Sequence, residues 1–132
     1  MEFITEFQKT EWHKRLSNSQ RLRSLHPNRI PVIVDRSVNT SPIPKNHRFM
    51  IPIDYEENVN GEKITRLMTL AHFMSVFRKY IPELTPEKSI FIFIHGRNIL
   101  PAMTDPISKI YDEYCERCGF LYLTFAFENT FG

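Results

Sequence analysis

Cys115 and Cys118, spaced C-x-x-C, are the residues whose type and spacing could carry thiol chemistry. Two thiolates at that spacing serve either disulfide exchange or half of a zinc site. A zinc site needs two more ligands, and neither a second cysteine pair nor a locally spaced histidine supplies them. A redox motif expects a strand-to-helix junction, whereas this pair follows a predicted helix and precedes a predicted strand. The expectation is two reduced thiols in a surface turn, as a cytosolic setting favours. His13, His26, His47, His72 and His95 never fall at i, i+4 from one another, so they read as surface or turn residues and no metal is expected. Nucleophile–base motifs are lacking, and the four glycines form no phosphate-cradling loop. The residues point away from an enzyme and from any cofactor.

A chain of 132 residues holds one domain with a real core. Hydrophobic residues at 42% and charged residues at 24% exclude wholesale disorder, and eleven Phe with five Tyr supply large buried areas. The net charge of +2 permits contact with an acidic peptide or anionic lipid but is no nucleic-acid footprint. The longest apolar run, Ile90 to Ile94, is far below the roughly 20 residues of a membrane-spanning helix. The acidic start, Met1-Glu2-Phe3-Ile4-Thr5-Glu6, does not resemble a secretory signal, so a cytoplasmic protein is expected.

Periodicity predicts a helix over 10–25, capped by Thr10, with Trp12, Leu16, Leu22 and Leu25 on its apolar side. Lys14, Arg15, Arg21 and Arg23 fall on its polar side, and Phe3, Ile4 and Phe7 begin a separate short helix. His26-Pro27 ends the longer one. Strands follow over 29–36, where Ile30, Val32 and Val34 alternate with Pro31 and Ile33, and over 47–53. In the second, Phe49, Ile51 and Ile53 oppose Arg48, Met50 and Pro52. A proline cannot donate to the ladder, so Pro52 places this strand at or near a sheet edge. Residues 54–65 read as a long loop or hairpin excursion with an Asn60-Gly61 turn. A helix is predicted over 64–81 from Leu67, Leu70, Met74, Phe77 and Ile81, ended by Pro82. Ile90–Ile94 reads as a central strand buried on both faces. Asp105-Pro106 starts a short helix, cap then first-turn proline, and Phe120–Phe127 forms the last strand. The class is α+β with a mixed sheet.

This order resembles the ubiquitin-like β-grasp preceded by an N-terminal two-helix extension, with 1–27 the extension, 28–127 the β-grasp and 128–132 a flexible tail. His26-Pro27-Asn28-Arg29-Ile30-Pro31-Val32-Ile33-Val34, Phe49-Met50-Ile51-Pro52, Pro106-Ile107-Ser108 with Tyr111, Gly119-Phe120-Leu121-Tyr122 and the tail Glu128-Asn129-Thr130-Phe131-Gly132 are collinear motifs. Together they resemble the autophagy ubiquitin-like modifiers, the family of GABARAP and the microtubule-associated light chains, over about Trp12 to Gly132. The resemblance implies that Gly132 is activated with ATP, passed through cysteine thioesters and joined to phosphatidylethanolamine on autophagosomal membranes. Without a Cβ, a glycine tail threads narrow clefts and leaves its carboxyl carbon open to attack. The partners implied are autophagy activating and conjugating enzymes, a deconjugating cysteine protease, cargo receptors and adaptors, but no nucleic acid.

The resemblance further implies binding of aromatic-x-x-aliphatic peptides added beside the second strand. The aromatic pocket then involves Leu22, Pro31, Ile33, Arg48, Met50 and Phe120, and the aliphatic pocket Phe49, Ile51, Pro52, Phe73, Val76 and Phe77. Arg29 and Arg48 meet acidic residues of the peptide. Ile33, Val76, Phe77 and Phe120 also suit the core of any β-grasp domain. The chain departs from the family in about a dozen extra residues, roughly 53–65, in Asn46 where a lysine is common, and in Tyr80 where an arginine is usual. Most relatives are made with residues beyond the glycine. Here the tail stops at Gly132, encoded so or already trimmed. The competing reading is a β-grasp interaction module that is never conjugated, and a basic-helix contact with RNA or tubulin is a third.

Overall fold

Ile30, Val32 and Val34 send their side chains to one face of strand β1 (Arg29–Arg36), and Ile33 to the other, as a period of two requires. The computed structural model describes residues 12–36, 47–80, 90–97 and 99–126. Strand β2 (His47–Pro52) pairs antiparallel with β1, Ile30 opposite Ile51 and Val32 opposite Phe49. Strand β6 (Leu121–Ala126) pairs parallel with β1 on its other side, and β5 (Phe91–Ile94) pairs antiparallel with β6. The sheet order is β2-β1-β6-β5, which puts β2 at an edge among the described residues, as Pro52 predicted. It also corrects the reading of 90–94 as a central strand. Ile92, Phe93 and Ile94 are buried on both faces, yet β5 is the opposite edge of the sheet among the described residues. An apolar run reports burial, not the number of ladder partners.

The chain bends at Ile53 and then forms a separate two-stranded ribbon, β3 (Asp54–Val59) with β4 (Glu62–Leu67). Asn60 and Gly61 turn it with φ of 52° and 85°, the positive pair that a two-residue hairpin needs to match strand twist. Residues 64–67 are therefore strand, and the helix predicted over 64–81 begins later. Helix α2 spans Leu70–Phe77, capped by Thr69, whose hydroxyl accepts from the His72 amide at 3.2 Å. Leu67 fits the helical spacing, but the hairpin turn sets its register and leaves it exposed. A 3-10 turn, Arg78–Tyr80, continues α2, and Ile81 and Pro82 lie outside the described residues.

Helix α3 spans Ile107–Tyr114. Its N-cap is Pro106, one residue later than expected, and the Asp105 carboxylate instead meets Lys109 Nζ at 3.4 Å. Helices α2 and α3 cover one face of the sheet, where Leu70, Phe73, Met74, Phe77, Ile107, Ile110 and Tyr111 join Val32, Ile51, Ile92, Leu123 and Phe125 in one core. Helix α1 (Trp12–Leu25) covers the other face with a smaller cluster, Leu22, Ile33, Cys118, Phe120 and Tyr122. Its expected apolar side is mostly unburied, since Trp12 and Leu25 are exposed and Leu22 alone of the four enters the cluster. The predicted cap Thr10 and the segment with Phe3, Ile4 and Phe7 lie outside the described residues, as does Phe127.

Candidate functional site: the open edge of β2

Ile53 donates its amide to the Asn28 carbonyl at 2.9 Å, so its backbone faces β1. Backbone groups alternate sides along a strand, so Phe49 and Ile51 also face β1, and Arg48, Met50 and Pro52 face outward. Both prolines obey this parity. Pro52 has its missing N–H on the open side, and Pro31, opposite Met50, has its own on the side away from β2. The outward Met50 carbonyl is met by a side chain rather than a strand: Arg29 Nη1 donates to it at 3.0 Å. A strand added here would take that carbonyl and release the guanidinium.

The predicted aromatic-pocket residues gather on the α1 face. Leu22, Ile33 and Phe120 share one cluster, and Met50 packs against it half-buried. Pro31 lies opposite Met50 and Arg48 opposite Ile33 in the ladder. Phe120 and Ile33 are 0% and 1% exposed, whereas Met50 is half-buried and Arg48 and Arg29 are exposed. On the α2 face, Phe49 meets Phe73 and Phe77 edge-to-face at 5.4 and 5.7 Å, with Ile51 in the same cluster. Phe73, Phe77 and Ile51 are buried there, whereas Phe49 and Val76 are half-buried at the surface. Pro52 is half-buried and falls by alternation on the Met50 face of β2, away from the other residues grouped with it. Gly132 lies outside the described residues.

Long-range contacts that no local pattern signals hold α1 against the sheet. Ser19 Oγ donates to the Cys118 carbonyl, and a Cβ on Gly119 (φ +90°) would come within 3.0 Å of Ser19 Cβ. Tyr111 donates to the Gly119 carbonyl at 2.7 Å, and the Arg23 guanidinium lies 5.2 Å above the Tyr111 ring. Arg23 is thus engaged, not merely solvated. Cys118 is 1% exposed, its sulfur 3.5 Å from the Tyr122 hydroxyl, and Cys115 is half-buried. This corrects the surface-turn reading. Burial raises the Cys115 thiol above its ordinary value, reinforced by Asp112, so it resists ionisation and is a poor nucleophile. Burial also raises the Tyr122 and Tyr111 phenols, opposed by Arg15 and Arg23 respectively. His95 Nδ1 and Thr124 Oγ1 lie 2.9 Å apart, a structural contact beside a turn. No cluster of metal ligands occurs among the described residues.

A four-stranded mixed sheet whose two antiparallel edge pairs and central parallel pair are crossed by a helix defines a ubiquitin-like β-grasp with a helical extension. A family model described as "Autophagy protein Atg8 ubiquitin like" matches residues 14–132. The chain is 41% identical over 124 residues to "Autophagy-related protein 8" of Schizosaccharomyces pombe, covering 92% of this chain and 88% of that protein. It is 38% identical over 120 residues to "Autophagy-related protein 8d" of Arabidopsis thaliana, covering 90% and 87%. The crystal structure of Trypanosoma brucei ATG8 superposes with a TM-score of 0.77 at 25% identity, over 98% of this chain and 100% of that one. The chain belongs to the Atg8 family of autophagy-related ubiquitin-like proteins.

Proposed function

We propose that this protein is conjugated through Gly132 to the amine of phosphatidylethanolamine and recruits cargo receptors and adaptors by docking aromatic-x-x-aliphatic peptides along β2. The observation that carries the docking half is the placement of two apolar clusters on opposite faces of one edge strand. Successive residues of an extended peptide point to opposite faces, so residues three apart also do. The aromatic side chain then seats on the Met50 face while the aliphatic one seats between Phe49 and Val76. The peptide backbone pairs with the outward groups of Arg48 and Met50, and an acidic flank draws Arg29 from the Met50 carbonyl. Buried floors with half-buried rims suit a site that opens slightly on binding.

The conjugation half rests on family membership, the family match running through Gly132. No helix among the described residues is long and apolar enough to cross a membrane, and an attached lipid supplies the anchor at roughly 0.8 kcal/mol per buried CH₂. Its partners are the autophagy activating and conjugating enzymes and a deconjugating cysteine protease. The protein cycles between cytoplasm and autophagosomal membrane. Incubation with those enzymes, ATP and phosphatidylethanolamine liposomes should give a lipidated band that Gly132→Ala abolishes. No such band leaves the non-conjugated interaction module. Met50→Asp should weaken an aromatic-x-x-aliphatic peptide by more than tenfold, since it buries a charge at the pocket rim, and unchanged titration curves would remove the docking assignment.

A further inference from the structure

The open edge does not stop at Pro52. A two-residue hairpin loop makes Val59 and Glu62 a hydrogen-bonded pair, and alternation then assigns Glu57–Ile64, Tyr55–Arg66 and Ile53–Met68 the same way. The last is observed directly, the Met68 amide donating to the Ile53 carbonyl at 2.8 Å. Ile53 therefore bonds β1 through its N–H and the end of β4 through its C=O, so both partners lie on one flank of the chain. The backbone groups of Asp54, Glu56 and Asn58 fall on the other flank, in series with Arg48, Met50 and Pro52. β2 and β3 form one continuous outer edge with a bend at Ile53. An isolated two-stranded ribbon is marginal in water; this one is braced by the Tyr55 ring stacked on His72 at 4.2 Å.

Charge divides that edge. Arg29 and Arg48 stand at the β2 half, and Asp54 and Glu56 at the β3 half, both exposed and on one face of the ribbon. Arg66 is committed to Glu57 on the opposite face. We propose that the β3–β4 hairpin lengthens the docking edge, so that its occupant is an extended peptide of about ten residues, acidic where it lies along β2 and basic where it lies along β3. This rests on the docking reading given above. The bend favours a flexible peptide, whose dihedrals can follow it, over a second preformed edge.

The test titrates the full protein with an acidic-aromatic-x-x-aliphatic core peptide and with the same peptide carrying three lysines at either end. One of the two extensions should tighten binding about tenfold at low salt, and Asp54→Lys with Glu56→Lys should abolish that gain while leaving the core peptide unchanged. Both substituted side chains are exposed, so the fold is spared. A three-glutamate extension at that end should recover the gain on the substituted protein. Amide resonances of Asp54, Glu56 and Asn58 should shift only with the extended peptide. Equal affinity for core and extended peptides, or a gain that survives the charge reversal, overturns the long edge while leaving core docking intact. Failure of the core peptide to bind overturns both readings. Self-association that the same reversal abolishes, without peptide gain, replaces the peptide by a second copy.

Discussion

The two faces of the sheet are built to different standards. Under α2 and α3, aliphatic side chains and Phe73, Phe77 and Phe125 interlock, Phe77 meeting Phe125 at 5.1 Å. Under α1, five buried residues suffice, and the interface carries polar duties: a buried Ser19, a buried cysteine, and an Arg15 Nε without a hydrogen-bond partner among the described residues. An unsatisfied buried donor costs roughly 1–3 kcal/mol. The α2 face holds most of the described buried apolar side chains, whereas the α1 face holds its helix through fewer buried side chains and specific polar contacts. A peptide docked as proposed above would have one wall on the densely packed face and the other on the sparser one.

Three perturbations test that contrast. Phe77→Ala, at a fully buried residue with three aromatic neighbours, should destabilise the whole domain by about 3–5 kcal/mol in chemical denaturation. A loss near 1 kcal/mol would mean that the α2 face is also loosely built. Gly119→Ala combines a positive φ with a Cβ pressed towards Ser19 and should cost about 2 kcal/mol. Its effect should concentrate in faster amide exchange of α1; uniform acceleration through β5 and β6 would show the faces to be one unit. Alkaline pH should act least. Tyr111 and Cys115 have raised values in the fold, so the folded state holds these protons more tightly than the unfolded chain. Their contribution is complete at neutral pH and is lost as pH rises from the ordinary thiol value of 9.0 and phenol value of 10.0 through the raised ones. A thermal midpoint that increases over that range would contradict the assignment.

Alternation in Ile30–Val34 and Phe49–Ile53 made the sheet faces legible in advance, and Pro52 gave the edge. Both signals depend on nearest neighbours along a strand. The start of α2 was misplaced because Leu67 satisfies helical spacing and strand membership equally, and only the register imposed by Asn60-Gly61 decides between them. The location of Cys118 was illegible for a different reason. Its burial comes from a helix nearly a hundred positions earlier, through Ser19, and no local pattern encodes that meeting. The clustering of Leu22 with Ile33 and Phe120 was anticipated through family resemblance, since helical periodicity gave Leu25 and Trp12 equal standing.

Parallel pairing of β1 with β6 has a geometric outcome. Phe125 lies beside Arg36 at one end of the sheet, whereas the hairpin springs from beside Arg29 at the other. Seven residue steps separate those ends, about 23 Å at the usual rise. If the tail leaving β6 is fastened to a bilayer, the sheet becomes a post and the ribbon its far tip. The stand-off is some three Debye lengths at physiological salt, so anionic headgroups barely reach Asp54 and Glu56. The acidic tip would then face the surrounding solution, where a basic segment can find it.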